Sequence, residues 1–361
     1  MQAAEHLDQL LRRLVEQGAS DLHLSCGAPP CLRIHGELRR LDDVALAPDS
    51  IHGMLQHICS PSQWQEFAER RTVDIGYGTP DGERFRINAY CELGRPALAA
   101  RHLDQRMLSL QELRLPPALG ALASLRAGLV LVTGTTGSGK STTLAALIDQ
   151  INRSRACHIL TIEDPVEFVH PPKRALVHHR ELYADVPSFA EAVRAALRED
   201  PDVILVGEMR DIETMRAALT AAETGHLVFS TLHTGEAIGC IERLVGSFPG
   251  DEQEVARHRI GMALRAVIAQ QLIPVGDDRG RVPAIEILMV NPAVANLIAS
   301  SKTRQIFSVM ETGSGEGMQT FDQSLSSLVR DRLLSSEEAL AHCHDATAMA
   351  GLLNRNGRRN T

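Results

Sequence analysis

The segment from Gly128 to Ile151 constrains the fold of this chain more than any other. An apolar run, Leu129-Val130-Leu131-Val132, leads into Gly134-Thr135-Thr136-Gly137-Ser138-Gly139-Lys140-Ser141, a full match to G-x-x-x-x-G-K-[ST], and a helix-compatible run from Thr142 to Ile151 follows. Strand, loop and helix thus stand in the order the motif requires. Glycines let successive backbone N–H groups turn inward around phosphates, and the helix N-terminus adds positive potential. On this reading Gly134, Thr135, Thr136, Gly137, Ser138, Gly139, Lys140, Ser141 and Thr142 cradle the phosphates of a nucleotide. Lys140 reaches the β and γ phosphates, and the Ser141 hydroxyl ligates Mg2+.

The grammar around this segment is α/β. Gly128–Val132, Ile159–Ile162, Val203–Val206, Leu227–Leu232 and Ala284–Val290 are short apolar runs, with helical patterns such as Ser188–Glu199 and Asp211–Thr224 between most of them. Such alternation predicts parallel strands covered on both faces. Residues 291–361 read as helices with loops. Before the motif the pattern is α+β. Leu7, Leu10, Leu11, Leu14 and Val15 make an amphipathic helix that ends near Gly18. Strands are predicted at Asp21–Ser25 and Cys31–Leu41, a mostly helical segment at Ser50–Arg70, and a strand pair at Val73–Tyr77 and Glu83–Tyr90. The Pro116-Pro117 segment reads as a linker, giving an N-terminal domain over 1–113, a linker over 114–119 and a second domain over 120–361.

Composition removes several classes. A length of 361 residues suggests two to three domains, and a net charge of -8 lacks the basic footprint that general nucleic-acid binding needs. Aromatic residues make up 3%, too few for a base-stacking platform. No apolar stretch is long enough to span a membrane, and the first charges, Glu5 and Asp8, have the wrong sign for a secretory leader. The expected location is therefore cytoplasmic. Seven scattered cysteines, never in C-x-x-C spacing, fit reduced thiols better than a disulfide frame or a zinc site.

Acidic residues at strand ends supply the remaining chemistry. Val203-Ile204-Leu205-Val206-Gly207-Glu208 delivers Glu208 at the C-terminal end of a buried-type strand, where ligands gather in open parallel sheets. Glu208 is a candidate to hold the magnesium shell together with Ser141. Thr161-Ile162-Glu163-Asp164-Pro165-Val166-Glu167 repeats the arrangement, so Glu163 or Glu167 can orient the attacking water, and spacing alone does not choose between them. His226 and His233 bracket the Leu227–Leu232 strand, as reporters of a γ-phosphate or as hydrogen-bonded structural groups.

Six segments in one order resemble the secretion-superfamily hexameric ATPases, and within them the PilT family of type IV pilus retraction motors. They are G-A-S-D-L-H-L-S from Gly18, the phosphate loop, T-I-E-D-P-V-E from Thr161, A-L-R-E-D-P-D-V-I-L-V-G-E-M-R-D from Ala196, T-G-H-L-V-F-S-T-L-H-T from Thr224 and G-M-Q-T-F-D-Q from Gly317. The resemblance covers nearly the whole chain. It implies a PAS-like N-terminal domain, a RecA-like ATPase domain and a homo-hexamer with ATP between protomers. The ring would lie peripherally on the inner membrane, working on a pilus platform protein and with a paralogous retraction ATPase as a possible companion.

By the same carry-over Arg86 and Arg101, fifteen residues apart, are the two N-terminal-domain arginines that approach the nucleotide phosphates. Guanidinium forks suit phosphate oxygens. The catalytic set implied is Glu163, Glu208, Lys140, Arg86, Arg101, His226 and His233. Two departures stand out. Ala295 and Ala299 replace arginines of the family's A-I-R-N-L-I-R-E segment, which leaves main motor and accessory paralogue both open, and Thr135 replaces a common loop proline. The competing class is a nucleic-acid translocase on the same core, which the acidic balance and few aromatics disfavour.

Overall fold

The computed structural model describes residues 2–41, 44–276 and 280–359. The chain divides into two compact units, Met1–Arg106 with Ile162–Val169 and His179–Ser188, and Met107–Thr161 with His170–His178 and Phe189–Thr361.

The first unit opens with α1 (Gln2–Glu16), whose Leu7, Leu10, Leu11 and Leu14 are almost wholly buried. Each such leucine contributes about 1.5–3 kcal/mol through burial. There follow β1 (Asp21–Ser25), β2 (Cys31–Ile34), β3 (Glu37–Arg40), α2 (Pro48–Ile58), α3 (Pro61–Arg70), β4 (Thr72–Gly78), β5 (Arg84–Glu92) and β6 (Arg95–Leu103). The strands form one antiparallel sheet in the order β3-β2-β1-β6-β5-β4. Leu22, Leu24, Ile75, Phe85, Ile87 and Leu98 join the helix leucines in its core.

The structure corrects one sequence expectation, resolves a second into two elements and adds a strand. The run Cys31–Leu41 is two strands, because His35 and Gly36 turn the chain with φ of 48° and 86°. Ser50–Arg70 is two helices. Extended Cys59 ends α2, and Ser60 caps α3 through a reciprocal bond pair with Gln63, while Pro61 enters the first turn without losing a hydrogen bond. β6, absent from the sequence reading, returns from β5 through the two-residue loop Leu93-Gly94, both with positive φ.

The second sheet comprises β7 (Gly128–Thr133), β8 (His158–Glu163), β9 (Leu176–Glu181), β10 (Val203–Val206), β11 (Leu227–Leu232), β12 (Leu264–Pro274) and β13 (Arg281–Met289), in the order β13-β12-β7-β11-β10-β8-β9. Every residue of β7, β10 and β11 is buried, as central strands covered on both faces require. The pairs β12/β7, β7/β11 and β11/β10 are parallel. β13 departs from the parallel expectation: it pairs antiparallel with β12, directly after it in the chain, so no crossover helix is needed.

Helices α4 (Lys140–Ser154), α5 (Phe189–Ala196), α6 (Ile212–Glu223), α7 (Ala237–Gly246) and α8 (Gln253–Ala263) connect these strands. The chain ends in α9 (Pro292–Ala299), α10 (Ile306–Thr312), α11 (Phe321–Arg330), α12 (Ser336–His342) and α13 (Ala346–Arg359), and Phe321, Leu325 and Ala339 pack with Ile273 and Val282. Among the described residues, no helix is long and apolar enough to cross a membrane.

Candidate active site

The phosphate loop leaves β7 and enters α4 where the sequence places it. Gly134, Gly137 and Gly139 hold φ of 149°, 79° and 88°, a region closed to most side chains. A Cβ on Gly134 would collide with the Gln270 carbonyl and the Ser138 hydroxyl, whereas Gly137 faces open space. The Lys140 ammonium turns onto the loop itself, donating to the carbonyls of Gly134 at 2.9 Å and Thr135 at 3.0 Å. Ser138 Oγ is buried with no hydrogen-bond partner among the described residues, an orphan that an anionic oxygen at the loop would satisfy.

Gln270 of β12 underpins the cradle, and sequence reasoning missed it. Its buried amide donates to the Ser138 carbonyl at 2.7 Å and accepts from Thr143 Oγ1 at 2.7 Å, so one side chain ties the loop to the first turn of α4. The available signal was the pair Gln270-Gln271 interrupting the apolar run that begins at Ala266. Arg281 of β13 reaches the Gly137 carbonyl at 3.4 Å. Beside Gly139 opens a cavity of about 370 Å³, with Leu113, Leu115, Leu272 and Pro283 as apolar wall and Arg114 and Arg281 at its edges. A further cavity, of about 410 Å³, lies in the first unit between α3 and residues 183–187 and contains no motif residue.

Glu208 follows β10, two strands from β7. Arg210 lies 2.6 Å and His233 3.5 Å from its carboxylate, which is 14% exposed. The backbone around it is fixed from β11: Thr231 Oγ1 donates to the Gly207 carbonyl at 2.7 Å, and the Met209 amide donates to the Thr231 carbonyl at 3.3 Å. Thr133, the last residue of β7, exchanges hydrogen bonds with Thr234 at 2.7–2.9 Å and thereby anchors the turn that carries His233. Buried Glu286 accepts from the Ala237 amide at 2.6 Å and caps the N-terminus of α7 after this turn.

His226 has a different position from His233. It precedes β11, and its neighbour Leu227 pairs with Gly128, at the end of β7 remote from the loop. Its Nδ1 lies 3.0 Å from the Ala221 carbonyl at the end of α6. The structure therefore brings His233 to Glu208 and leaves His226 at the opposite end of β11.

Glu163 ends β8 and falls in the first unit, with His179 Nδ1 at 3.9 Å from its carboxylate and the Leu182 amide donating to its carbonyl at 2.9 Å. Glu167, the other candidate of that segment, accepts at its carbonyl from Gln105 at 2.6 Å, and the Asp164–Pro165 peptide between the two is cis. Arg86 and Arg101 are direct cross-strand partners on β5 and β6. Arg86 lies 3.5 Å from Asp74, and Arg101 donates to Asp21 at 2.8 Å.

A glycine-lined loop between a buried parallel strand and a helix, with a carboxylate at the end of a nearby strand, defines a P-loop nucleotide-binding protein. Residues 3–311 match the family described as type II/IV secretion system protein, and the chain belongs to that family. It is 46% identical over 334 residues to the type IV pilus retraction ATPase PilT of Pseudomonas aeruginosa, covering 92% of this chain and 96% of the relative. To the type IV pilus ATPase PilU of the same organism it is 36% identical over 339 residues, 94% of this chain and 89% of the relative. The crystal structure of the pilus retraction motor PilT with bound ADP superposes with a TM-score of 0.85 at 42% identity, covering 94% of this chain and 98% of that one.

Proposed function

We propose that this protein is an ATP-hydrolysing hexameric motor that powers type IV pilus retraction, acting on a platform protein at the inner membrane. The observation that carries this reading is the phosphate loop on its Gln270 support, in a chain similar to a retraction ATPase over almost its full length. The identity of 46% to PilT against 36% to PilU favours the main motor over the accessory paralogue. We read the first unit as PAS-like and the second as RecA-like.

The triphosphate sits in the loop, with Lys140 swung from the Gly134 and Thr135 carbonyls to the β and γ oxygens. The cavity beside Gly139 takes the adenine between its apolar walls. The hydroxyl of exposed Ser141 and the carboxylate of Glu208 are hard oxygen donors of the kind Mg2+ takes, and they are the residues that would hold it. When bound, the ion neutralises charge on the phosphate oxygens. Glu163 activates the attacking water as general base, His233 holds Glu208 in place, and the guanidinium groups of Arg86 and Arg101 spread the charge that develops on the transferring phosphoryl group. Closure of the first unit upon a neighbouring protomer delivers the work.

The test is replacement of the chromosomal copy by Lys140→Ala. Cells should keep surface pili and lose surface spreading; unchanged spreading would contradict the proposal.

A further inference from the structure

Glu181, the last residue of β9, is a half-buried carboxylate that the chemistry above does not use. Its two oxygens join two separate pieces of the first unit. Oε1 accepts from the Gly76 amide at 3.1 Å on β4, the edge strand of the antiparallel sheet, and Oε2 accepts from the Val166 amide at 3.2 Å. Arg84 of β5 completes the junction, lying 3.7 Å from Oε2 and donating to the Val166 carbonyl at 3.0 Å. Gly76 permits this approach: a Cβ there would overlap the Glu181 carboxyl group.

The segment so held is the one that begins with Glu163. The residue after Glu181, Leu182, donates its amide to the Glu163 carbonyl, and Gln105 grips the far end of the segment at Glu167 and Val169. On the sheet side, Gly76 pairs with Arg86 and Arg86 with Arg101, so the carboxylate docks at the end of the rung that carries both arginines. Burial pushes the Glu181 carboxyl above its ordinary pKa, and nearby Asp185 adds to this. The Val166 and Gly76 amides and Arg84 work against the shift.

From this geometry we infer that Glu181 is a positioning residue for the hydrolytic carboxylate. It fastens the Glu163 segment to the edge of the arginine-bearing sheet, so that movement of the sheet carries the segment with it. The inference rests on the proposed role of Glu163. Because the contacts that support the phosphate loop run through Gln270 and Thr143 and not through Glu181, its loss should slow turnover without weakening nucleotide binding.

The experiment uses the full-length protein, with ATP as the probe. In Glu181→Gln the amide accepts one N–H and turns its own N–H groups toward the other, so half of the junction is lost. The expected result is a fall in kcat of about tenfold with KM for ATP changed by less than about twofold. Hydrogen–deuterium exchange should quicken across residues 162–169 and stay unchanged across the phosphate loop. A kcat within twofold of wild type, a KM that rises in step with the loss, or unaltered exchange at 162–169 overturns the inference. If Glu181→Gln does not fold, Gly76→Ala crowds the same carboxyl from the sheet side and is judged by the same readouts. In wild-type protein the Gly76 and Val166 amides should already be protected, and rapid exchange at either one overturns the inference without any variant. Full turnover in Lys140→Ala would instead sink the ATPase reading, while the exchange measurement, which needs no ATP, would still decide whether Glu181 holds the segment.

Discussion

Arg86 and Arg101 face each other across the β5–β6 ladder, in a rung that runs Arg33, Asp21, Arg101, Arg86, Gly76 across five strands. Directly paired residues share a sheet face, so three guanidinium groups and one carboxylate stand in a row. The row exists because the two arginines are equidistant from the Leu93-Gly94 turn, whose positive φ values at both positions fix the register.

The two arginines should separate in stability and agree in activity. Arg101→Ala leaves mostly buried Asp21 without its 2.8 Å partner and should cost about 1 kcal/mol. Arg86 holds Asp74 only at 3.5 Å with both side chains part-exposed, and Arg86→Ala should cost less than about 0.5 kcal/mol. Both should lower ATP turnover by more than about tenfold. Urea denaturation and steady-state hydrolysis of the two variants check this.

Asp21 also gives the rung a pH dependence. Burial pushes its carboxyl up, but hydrogen bonds from Ser20 and Arg101 outweigh that and hold its pKa below the ordinary value of 3.8. A depressed carboxylate stabilises the fold above its unfolded pKa and loses that contribution as pH falls through the folded value. Asp21→Asn should therefore be less stable than wild type at pH 7, and the gap should close as pH falls below about 4. Urea midpoints of both proteins between neutral and acidic pH measure it.

Gln270 predicts a binding phenotype. Gln270→Met keeps the volume but leaves the Ser138 carbonyl and the Thr143 hydroxyl without their partner. The expected cost is about 1–3 kcal/mol of stability and a rise of roughly tenfold in KM for ATP. Nucleotide titration alongside a denaturation curve would show both.

How much of this was legible in the sequence depends on the distance between interacting residues. The phosphate loop was readable because strand, loop and helix are contiguous from Gly128 to Ser154. The position of Glu208 was readable because it follows the buried strand β10. Gln270 was not, since it meets the loop through a strand pairing whose partner stands far away in sequence. β12 itself hid because its buried run follows α8 without a break. His226 and His233 look equivalent in sequence, and only the direction of β11 relative to β7 tells them apart. Nor does any local pattern show that residues 162–169 and 179–188 cluster with the first unit, a consequence of long-range bonds from Gly76, Arg84 and Gln105.

The carboxylates should act in hydrolysis more than in binding. Glu163→Gln and Glu208→Gln should each lower kcat by about a hundredfold or more while retaining nucleotide. His233→Ala should lower it less, since Arg210 also holds Glu208. Comparison of single-turnover rates with nucleotide affinity for the three variants separates the roles.

If each site is completed by a neighbouring protomer, hydrolysis needs the ring, and native mass and ATPase rate measured on the same dilution series of purified protein must change together. The expected result is a hexamer in the presence of Mg-ATP whose specific activity falls as dilution dissociates it. Undiminished specific activity from a species that remains a monomer at every concentration would contradict the claim.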